Sequence, residues 1–385
     1  MATPTVALHG NHYDNNFGDL LLLKVFERWV AAAGDYRITY PWLPDEEAER
    51  FSRHFPGRAT GKVAGSWQAL IYCGGGLFAD TGRDGRWLRG HFAKRFAKEV
   101  APPARIARRK RLPYAIIGPG AGPITNLFTR REAARMFRGA ARVSVRDEES
   151  RAFLLRELGV PDGFVVAPDP ATTASREDVP TAARDAIAAR LASAGGSVLL
   201  GVHHPRDFVA PSAPSAILLR ALLQVLRNNP DVTPVLFTDI GSDTTSAHCE
   251  KLAATIATET GRSSLTIPFP GVWETVSLLH QLSAVLTTKL HIGIVSYAVG
   301  TYVEAFPYHP KVQQFYRVTD RASQCALLAE VTDSIAVAKI QRAIVQGRAR
   351  PELRDARWAE TRRRAEEHGR VVAEFLHSAT GCPAR

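Results

Sequence analysis

The segment Ala284-Val-Leu-Thr-Thr-Lys-Leu-His-Ile-Gly-Ile294 decides the fold class of this chain. Its first residues are apolar or β-branched, which is typical of a buried strand, and its last residues favour a helix. Lys289 and His291 stand where the strand gives way to the helix. A strand that passes directly into a helix is the repeating step of a parallel α/β sheet, in which all strand ends meet at one edge.

The same step recurs along the whole chain. The predicted strands are Val6–Leu8, Ile38–Tyr40, Ala69–Tyr72, Tyr114–Ile117, Val143–Val145, Phe164–Val166, Val198–Val202, Val232–Phe237, Leu265–Ile267, Ala284–Thr287 and Tyr302–Ala305. The predicted helices are Leu20–Ala33, Trp87–Arg108, Arg130–Ala140, Glu148–Leu158, Ala182–Ser193, Ala216–Arg227, Ser246–Thr260, Ala322–Gln346 and Pro351–His377. This alternation predicts an α/β protein with parallel sheets.

The chain of 385 residues is long enough for two domains. The segment Pro168–Ser175 interrupts the alternation, and Ala182–Ser193 is interpreted as a connecting helix. We therefore predict an N-terminal domain over 1–175, a second domain over 195–345 and a helical tail over 346–385. In such a pair, ligands are expected at the carboxyl ends of the strands, in the cleft between the two sheets.

The composition favours anionic partners without choosing among them. Forty-nine Lys and Arg against 38 Asp and Glu give a formal net charge of +11. The basic run Arg105–Arg111 has no interleaved aromatic residues, so no nucleic-acid partner is expected. That run is interpreted as a solvated helix end or as a patch that steers the protein to anionic lipid.

Neither a metal nor a disulfide framework is predicted. Four cysteines stand far apart, without the spacing of a metal site, at Cys73, Cys249, Cys325 and Cys382. The first residues lack the pattern of a signal peptide, and no apolar run is long enough to span a bilayer. The expected location is the cytoplasm, either free or peripheral at the inner face of the cytoplasmic membrane.

Glycines and charged residues follow the strands of the first half. Asn16 and Asp19 come after the first strand, Gly75 and Gly76 after the third, and the last two strands are followed by Arg146 and Asp169. Glycine lets backbone N–H groups approach a ligand closely, and helix N-termini favour anions. These loops are predicted to form one wall of a site, although Asp147 has the alternative role of a helix N-cap and glycine triplets are often only tight turns.

The second half adds groups suited to acid–base chemistry and to anion binding. His291 lies at a helix N-terminus, where the dipole disfavours the imidazolium, so we expect a lowered pKa. The alternative is a structural histidine that only begins the helix. Lys289, Lys311 and Arg206 follow three strands of this half and are predicted to bind a substrate with phosphate and carboxylate groups.

The ensemble of loops resembles the polysaccharide pyruvyl transferase family. The matching pieces span residues 16 to 311 and are Asn16-Phe-Gly-Asp, Gly74-Gly-Gly-Leu, Gly118-Pro-Gly-Ala-Gly-Pro, Ser144-Val-Arg-Asp-Glu-Glu-Ser, Leu158-Gly-Val, Pro168-Asp-Pro, Lys289-Leu-His and Tyr308-His-Pro-Lys-Val. The resemblance implies two Rossmann-like domains facing across a cleft, as in GT-B glycosyltransferases, with a C-terminal helix that crosses back to the first domain. It also implies transfer of pyruvate from phosphoenolpyruvate, as a ketal, onto a sugar of a cell-surface glycan or a lipid-linked precursor.

With that resemblance, each candidate residue receives an expected role. His291 is the expected proton donor, and Asp19 the residue expected at an acceptor hydroxyl. The expected donor-binding residues are Lys289, Lys311, Arg206 and Gly293, and the expected acceptor-binding residues are Asn16, Gly75, Gly76, Arg146 and Asp169. Phosphoenolpyruvate is a co-substrate, and no cofactor or metal is expected.

The sequence departs from the family pattern at two places, and two other functions are compatible with it. Lys289 stands where the family usually has arginine, which keeps the charge but loses the bidentate fork. Val299-Gly-Thr-Tyr-Val replaces the usual Gly-Val-Pro. One alternative is a GT-B glycosyltransferase that uses a nucleotide sugar, with Glu304 as the carboxylate for the ribose. The other is a non-catalytic glycan-binding relative. The acceptor sugar and the oligomeric state do not follow from the sequence.

Overall fold

The computed structural model describes residues 3–11, 15–41, 45–56, 59–61, 67–80, 86–349 and 353–381. The chain divides into two compact units, the first formed by Met1–Thr173 and Arg362–Arg385 and the second by Ala174–Thr361. The boundaries differ from the predicted 1–175, 195–345 and 346–385. The predicted connecting helix belongs to unit 2, where Gln281 Nε2 donates to the Arg184 carbonyl oxygen at 3.4 Å. The predicted tail is shared between the units.

Unit 1 contains a parallel sheet. Its strands in the described part of the chain are β1 (Thr5–His9), β2 (Arg37–Pro41), β3 (Ala59–Gly61), β4 (Ala69–Cys73), β5 (Tyr114–Ile117), β6 (Arg142–Val145) and β7 (Val165–Val166). They lie in the order β3-β2-β1-β4-β5-β6-β7, the doubly wound order of Rossmann folds. Every residue of β4 and β5 is buried, as expected for parallel strands covered on both faces.

The helices that precede residue 173 cover this sheet. They are α1 (Phe17–Ala33), α2 (Asp45–His54), α3 (Arg86–Arg95), α4 (Ala101–Lys110), α5 (Leu127–Gly139) and α6 (Glu148–Arg156). The predicted helix Trp87–Arg108 is interrupted by a π-helical turn, Phe96–Val100, in which the Ala101 N–H bonds to the Phe96 carbonyl. Pro102 and Pro103 follow at once and have no N–H to continue the ordinary ladder, which accounts for the interruption.

Unit 2 contains a second parallel sheet. Its described strands are β8 (Val198–His203), β9 (Val232–Phe237), β10 (Leu265–Ile267), β11 (Ala284–Thr287) and β12 (Tyr302–Ala305), in the order β10-β9-β8-β11-β12. Its helices are α7 (Thr181–Leu191), α8 (Arg206–Val209), α9 (Ala213–Arg227), α10 (Asp243–Thr260), α11 (Val272–Gln281), α12 (Leu290–Val299), α13 (Pro310–Val318) and α14 (Asp333–Ala349). The next helix, α15 (Ala356–Ala365), contains the boundary with unit 1. The prediction of two Rossmann-like α/β halves is confirmed.

The last helix, α16 (Glu367–Thr380), returns to unit 1, as predicted. Glu366 accepts hydrogen bonds from Trp29 Nε1 at 2.8 Å and from the Arg28 guanidinium at 3.2 Å, both on α1. His368 is fully buried, with Nδ1 2.8 Å from Ser144 Oγ and Nε2 3.1 Å from the Pro168 carbonyl oxygen. Among the described residues no helix is long and apolar enough to cross a membrane.

Candidate active site

In each unit, the loops that follow two neighbouring strands lead away in opposite directions at one place along the sheet. In unit 2 that place lies between β8 and β11, which are neighbours in the sheet although they are remote in sequence. Ligands of doubly wound sheets bind at such switch points, outside the carboxyl ends of the strands. There His203 ends β8 and Thr287 ends β11, and His203 Nδ1 lies 3.0 Å from Thr287 Oγ1.

Lys289 and His291 lie directly at this point. Lys289 is the N-cap residue of α12, in extended conformation, and its N–H donates to Thr287 Oγ1 at 3.0 Å. His291 follows in the first turn of α12, and both side chains are half-buried. The same threonine hydroxyl therefore contacts the end of β8 and fixes the backbone from which Lys289 projects.

A buried carboxylate lies close to Lys289. Asp239, which follows β9, is buried, and its Oδ1 is 3.4 Å from Nε2 of the fully buried His203. Burial opposes the ionisation of Asp239, but the contact with His203 and the positive charge of Lys289 hold its pKa well below the usual range. The ammonium of Lys289 is thus balanced in part by a carboxylate inside the unit.

A second buried carboxylate, Asp207, joins three loops of this edge. It accepts hydrogen bonds from Thr288 Oγ1 and, at 2.6 Å, from the hydroxyl of Tyr308, and His204 Nδ1 lies 2.9 Å away. Burial alone would raise the pKa of Asp207, but these partners, with His204 first, lower it to about 2. Asp207 is therefore ionised at neutral pH and ties the segments after β8, β11 and β12 together.

His204 has an unusual backbone conformation. Its φ of 57° lies in the left-handed region, which is uncommon for a residue with a side chain. Backbone strain of this kind persists where the surroundings over-determine it, and it concentrates at functional sites. The His204 side chain is held by the contact with Asp207 and by a ring contact with His203.

The segment after β12 supplies Tyr308 and Lys311. Tyr308 is 50% exposed although its hydroxyl donates to Asp207, so the ring forms part of the accessible surface. Lys311 lies in the first turn of α13 and is half-buried, and His309 caps that helix. Burial and the charge of Lys311 together lower the pKa of His309.

Two predicted donor residues are placed differently. Arg206 begins α8 and is exposed. Gly293 is buried, its N–H donates to the Lys289 carbonyl oxygen, and a Cβ at this position would come within 2.2 Å of the Tyr316 hydroxyl. Gly293 is therefore needed for the packing of Tyr316 under α12, a role that differs from donor binding.

Glu304, the carboxylate considered for a nucleotide ribose, is committed to the interior of unit 2. It is fully buried on β12 and pairs with Lys339 at 2.9 Å and with Arg342 at 2.6 Å. The Tyr302 hydroxyl donates to the same carboxylate at 2.9 Å. Both carboxylate oxygens are thus engaged within the protein, which removes the residue on which the glycosyltransferase alternative depended.

In unit 1 the switch point lies between β1 and β4. Asn16 caps α1, and its side-chain oxygen accepts from the Gly18 N–H at 2.9 Å. One turn on, Asp19 Oδ2 accepts from Asn11 Nδ2 at 2.8 Å. Gly75, with a φ of 73°, approaches so closely that a Cβ would lie 3.2 Å from Asp19 Oδ1. The structure therefore brings Asn16, Asp19 and Gly75 together.

Arg146 follows β6 and Asp169 follows β7, and their side chains form a largely buried ion pair in unit 1. Arg146 Nη1 donates to Asp169 Oδ2 at 3.0 Å, and Asp169 Oδ1 accepts from the Ala171 N–H. Burial would lower the pKa of Arg146, but Asp169 and Asp147 raise it. Asp147 also caps α6, the alternative role stated above. A Cβ at Gly120 would come within 2.6 Å of the Arg146 guanidinium, so a larger residue there would displace that side chain.

A family model described as "Polysaccharide pyruvyl transferase" matches residues 16–310, about three quarters of the chain. This span includes Asp19 and Gly75 of unit 1 and Lys289 and His291 of unit 2. The chain belongs to the polysaccharide pyruvyl transferase family. No protein of curated function matches it by sequence.

Solved structures resemble this member of the family in fold. UDP-GlcNAc 2-epimerase from Methanocaldococcus jannaschii has a TM-score of 0.63 at 11% identity, over 97% of this chain and 100% of that one. UDP-GlcNAc 2-epimerase from Neisseria meningitidis, bound to UDP-GlcNAc, also has a TM-score of 0.63 at 11% identity, over 98% and 100%. The α,α-trehalose 6-phosphate synthase from Burkholderia multivorans has 0.53 at 13% identity, over 99% of both chains. The GT-B-type fold predicted for this pyruvyl transferase family member is confirmed.

Sequence reasoning missed the residues that hold the loops of unit 2 together. Asp207, Thr287, Thr288 and Asp239 were not among the predicted site residues. Asp207 stands next to Arg206, and the two threonines directly precede Lys289, so their positions after strands were an available signal. In the described part of the chain, no three His, Cys, Asp or Glu side chains are grouped as metal ligands.

Proposed function

We propose that this protein transfers pyruvate from phosphoenolpyruvate onto a sugar as a ketal, in the assembly of a cell-surface glycan. Membership of the polysaccharide pyruvyl transferase family supports the transferred group. The observation that carries the proposal is the placement of Lys289 and His291 at the switch point of unit 2, where Thr287 fixes the backbone between β11 and α12.

The donor is an anion with two charged groups, which explains the need for cations at this edge. Lys289 and Lys311 are half-buried, each at the start of a helix whose N-terminus adds positive potential. We assign the phosphate and the carboxylate of phosphoenolpyruvate to these two lysines. Arg206 is exposed, so it contributes mainly to the electrostatic attraction of the donor.

The reaction begins with a proton and ends with phosphate. The His291 imidazolium gives its proton to the methylene carbon C3 of the donor, and C2 becomes a cation that the ester oxygen stabilises. The oxygen of a sugar hydroxyl then bonds to C2. The C2–O bond to the phosphate breaks with its electron pair, and a second hydroxyl of the same sugar bonds to C2. Of the two protons that the hydroxyls lose, one returns to His291 and the other passes through Asp19 to the phosphate.

The acceptor hydroxyl needs a group that accepts its proton. We assign this role to Asp19 in unit 1, which lies against Gly75 and is oriented by the Asn11 amide. Arg146 and Asp169 support the same edge through their buried pair rather than as free ligands. The acceptor is therefore expected to bind over the glycine loops that follow β4 and β5.

Incubation with phosphoenolpyruvate and a panel of sugar acceptors tests the proposal. We expect release of inorganic phosphate that depends on the acceptor, together with an acceptor product whose mass corresponds to the ketal. Phosphoenolpyruvate should also raise the melting temperature, and added salt should weaken the effect because binding rests on charge. A melting-temperature rise with UDP-GlcNAc and none with phosphoenolpyruvate would contradict the proposal and favour a nucleotide-sugar glycosyltransferase.

A further inference from the structure

The first turn of α5 exposes two large apolar side chains. Leu127 is 63% exposed and Phe128 is 78% exposed, the highest value among the large apolar residues of the described chain. They follow the capping residue Asn126, whose side chain accepts from the Thr129 N–H at 3.0 Å. The cap holds these two side chains on an ordered helix end, where water surrounds them.

Three arginines continue the same face of α5. Arg131, Arg135 and Arg138 follow Phe128 at intervals of three, four and three residues, which places all four on one side of a helix. All three arginines are exposed. We call Leu127, Phe128, Arg131, Arg135 and Arg138 the α5 face.

Acidic residues are scarce in the sequence of α4 and α5. Residues 101–139 contain nine lysines and arginines and a single acidic residue, Glu132. Glu132 is buried and is already paired with Arg105 and Arg108 of α4 at 3.0 Å and with Arg135 at 3.4 Å. Burial opposes its ionisation, but these arginines lower the pKa of Glu132. Its negative charge is therefore neutralised by the arginines that it contacts. The α4 and α5 surface remains strongly positive.

We propose that the α5 face docks the protein onto an anionic lipid bilayer. The arginines would lie among the headgroups, and Leu127 and Phe128 would enter the boundary between headgroups and acyl chains. A single interaction, either charge or apolar insertion, gives only marginal membrane binding. A polybasic surface combined with an apolar insertion gives stable attachment. A nucleic-acid partner would use the charge but not the apolar pair, since that pair offers one ring rather than a row of aromatic platforms.

The position of α5 gives the docking a consequence for substrate access. The helix begins directly after the loop that follows β5, at the carboxyl edge of unit 1. That edge is the one assigned above to the acceptor. A bilayer held there would suit an acceptor saccharide carried on a lipid. This consequence rests on the proposed function, whereas the docking itself does not.

Vesicle sedimentation with the full chain tests the docking. We expect the protein to sediment with vesicles of phosphatidylcholine and phosphatidylglycerol and to stay in solution with phosphatidylcholine alone. Each arginine near an anionic surface contributes about fivefold in affinity, so Arg131→Gln with Arg135→Gln should weaken binding on the order of twentyfold. Phe128→Ser should weaken binding about tenfold through the lost apolar insertion. Arg138 is kept because its guanidinium bonds to the carbonyl oxygens of Leu158 and Gly159.

Matched variants on another surface provide the controls. Arg184→Gln with Arg190→Gln removes the same charge from the exposed side of α7, and Val345→Ser removes an apolar side chain that is 47% exposed on α14. Both should bind the mixed vesicles as the unaltered protein does. Equal losses in the control pair, or no binding to the mixed vesicles, would overturn the proposal. The proposal would also be overturned if Phe128→Ser bound the mixed vesicles as tightly as the unaltered protein and if the unaltered protein bound RNA as tightly as vesicles. The α5 face would then be a general surface for polyanions.

Discussion

The loops at the carboxyl edges of the two sheets are held together by different kinds of contact. In unit 2, buried carboxylates join the loops through side chains, as Asp207 does for Thr288 and Tyr308. In unit 1, the glycine loops after β4 and β5 are joined by backbone groups, as in the bond from the Gly120 N–H to the Gly75 carbonyl oxygen at 3.0 Å. Apart from its own chain neighbours, no described residue has an atom within 4 Å of the position that a Cβ would take at Gly76.

The difference suits two kinds of ligand. A donor of fixed chemistry needs charges held at fixed places, and the side-chain network of unit 2 provides them. An acceptor that is a sugar of variable shape needs close backbone approach and free space, which the glycine loops of unit 1 provide. In the proposed function, unit 2 therefore provides a rigid edge for the donor and unit 1 an open edge for the acceptor.

The largest effect is expected at the proton donor. His291→Ala should fold normally and still bind phosphoenolpyruvate, but turnover should fall at least about a hundredfold, because general acids contribute ~10²–10⁴-fold. Steady-state phosphate release measures this. Lys289→Arg, which keeps the charge and adds a bidentate fork, is the control and should leave appreciable activity. Near-full activity in a folded His291→Ala sample would move the role to His204, since His203 is fully buried and His309 caps α13.

A substitution of Glu304 tests whether this buried carboxylate of unit 2 contributes only to the stability of the fold. Glu304→Gln leaves the buried ammonium of Lys339 without a counter-charge, so the free energy of unfolding of unit 2 should fall by about 3–5 kcal/mol. Urea unfolding measures the loss. Glu259→Gln removes an exposed partner of Arg227 and should cost less than about 1 kcal/mol. A stable Glu304→Gln protein that loses donor binding would instead assign Glu304 to the site.

His368 should make the C-terminal anchor of unit 1 sensitive to mild acid. Burial lowers the pKa of His368 to about 4, so the imidazole is neutral in the folded unit while the unfolded chain binds a proton below about 6.5. The stability that this group contributes is therefore present above about pH 6.5 and is lost as the pH falls towards 4, up to about 3 kcal/mol.

Hydrogen exchange of α16 between pH 7 and pH 4.5 measures this loss. Exchange protection should fall with pH in the unaltered protein, and His368→Gln should flatten the dependence because glutamine does not titrate. An equally steep dependence in His368→Gln would assign the acid sensitivity to another buried group, such as His9, whose pKa burial also lowers to about 4.

Asp207 should have a smaller effect on stability, in a more acidic range. Its pKa is lowered to about 2, so its contribution is present above about pH 4 and is lost as the pH falls through 2. Asp207→Asn should lower the free energy of unfolding at pH 7 by about 2 kcal/mol and should raise the KM for phosphoenolpyruvate, because three loops lose their common anion. Asp333→Asn, which alters an exposed pair with Arg220, should change neither quantity. An unchanged KM in Asp207→Asn would make the network structural only.

The sequence predicted the sheets well because their strands are short, β-branched runs bounded by polar turns. Val232–Phe237, Leu265–Ile267, Ala284–Thr287 and Tyr302–Ala305 are strands with the predicted bounds. β3 was missed because Ala59–Gly61 has neither length nor an apolar pattern. Helix α1 begins at Phe17 rather than at the predicted Leu20, since Asn16 supplies the cap three residues earlier.

The candidate site was only partly predictable, for a different reason. Residues that follow strands could be placed at an edge from the pattern alone, as Lys289 and His291 were. Asp207 acquires its role from Thr288 and Tyr308, which are 81 and 101 residues away in the chain. Glu304 was considered as a ligand because it is a carboxylate late in the second domain, and only its burial against α14 reveals its partners. Such contacts depend on how helices pack on the sheet, which periodicity does not specify.

Equilibrium dialysis with labelled phosphoenolpyruvate tests the separation of the two edges most directly. The unaltered protein, Lys289→Gln in unit 2 and Asp19→Asn in unit 1 are compared at one salt concentration. We predict that Lys289→Gln weakens donor binding about tenfold or more, through the loss of a charge-assisted contact, while Asp19→Asn binds the donor as the unaltered protein does. Weaker binding in Asp19→Asn with unchanged binding in Lys289→Gln would contradict it.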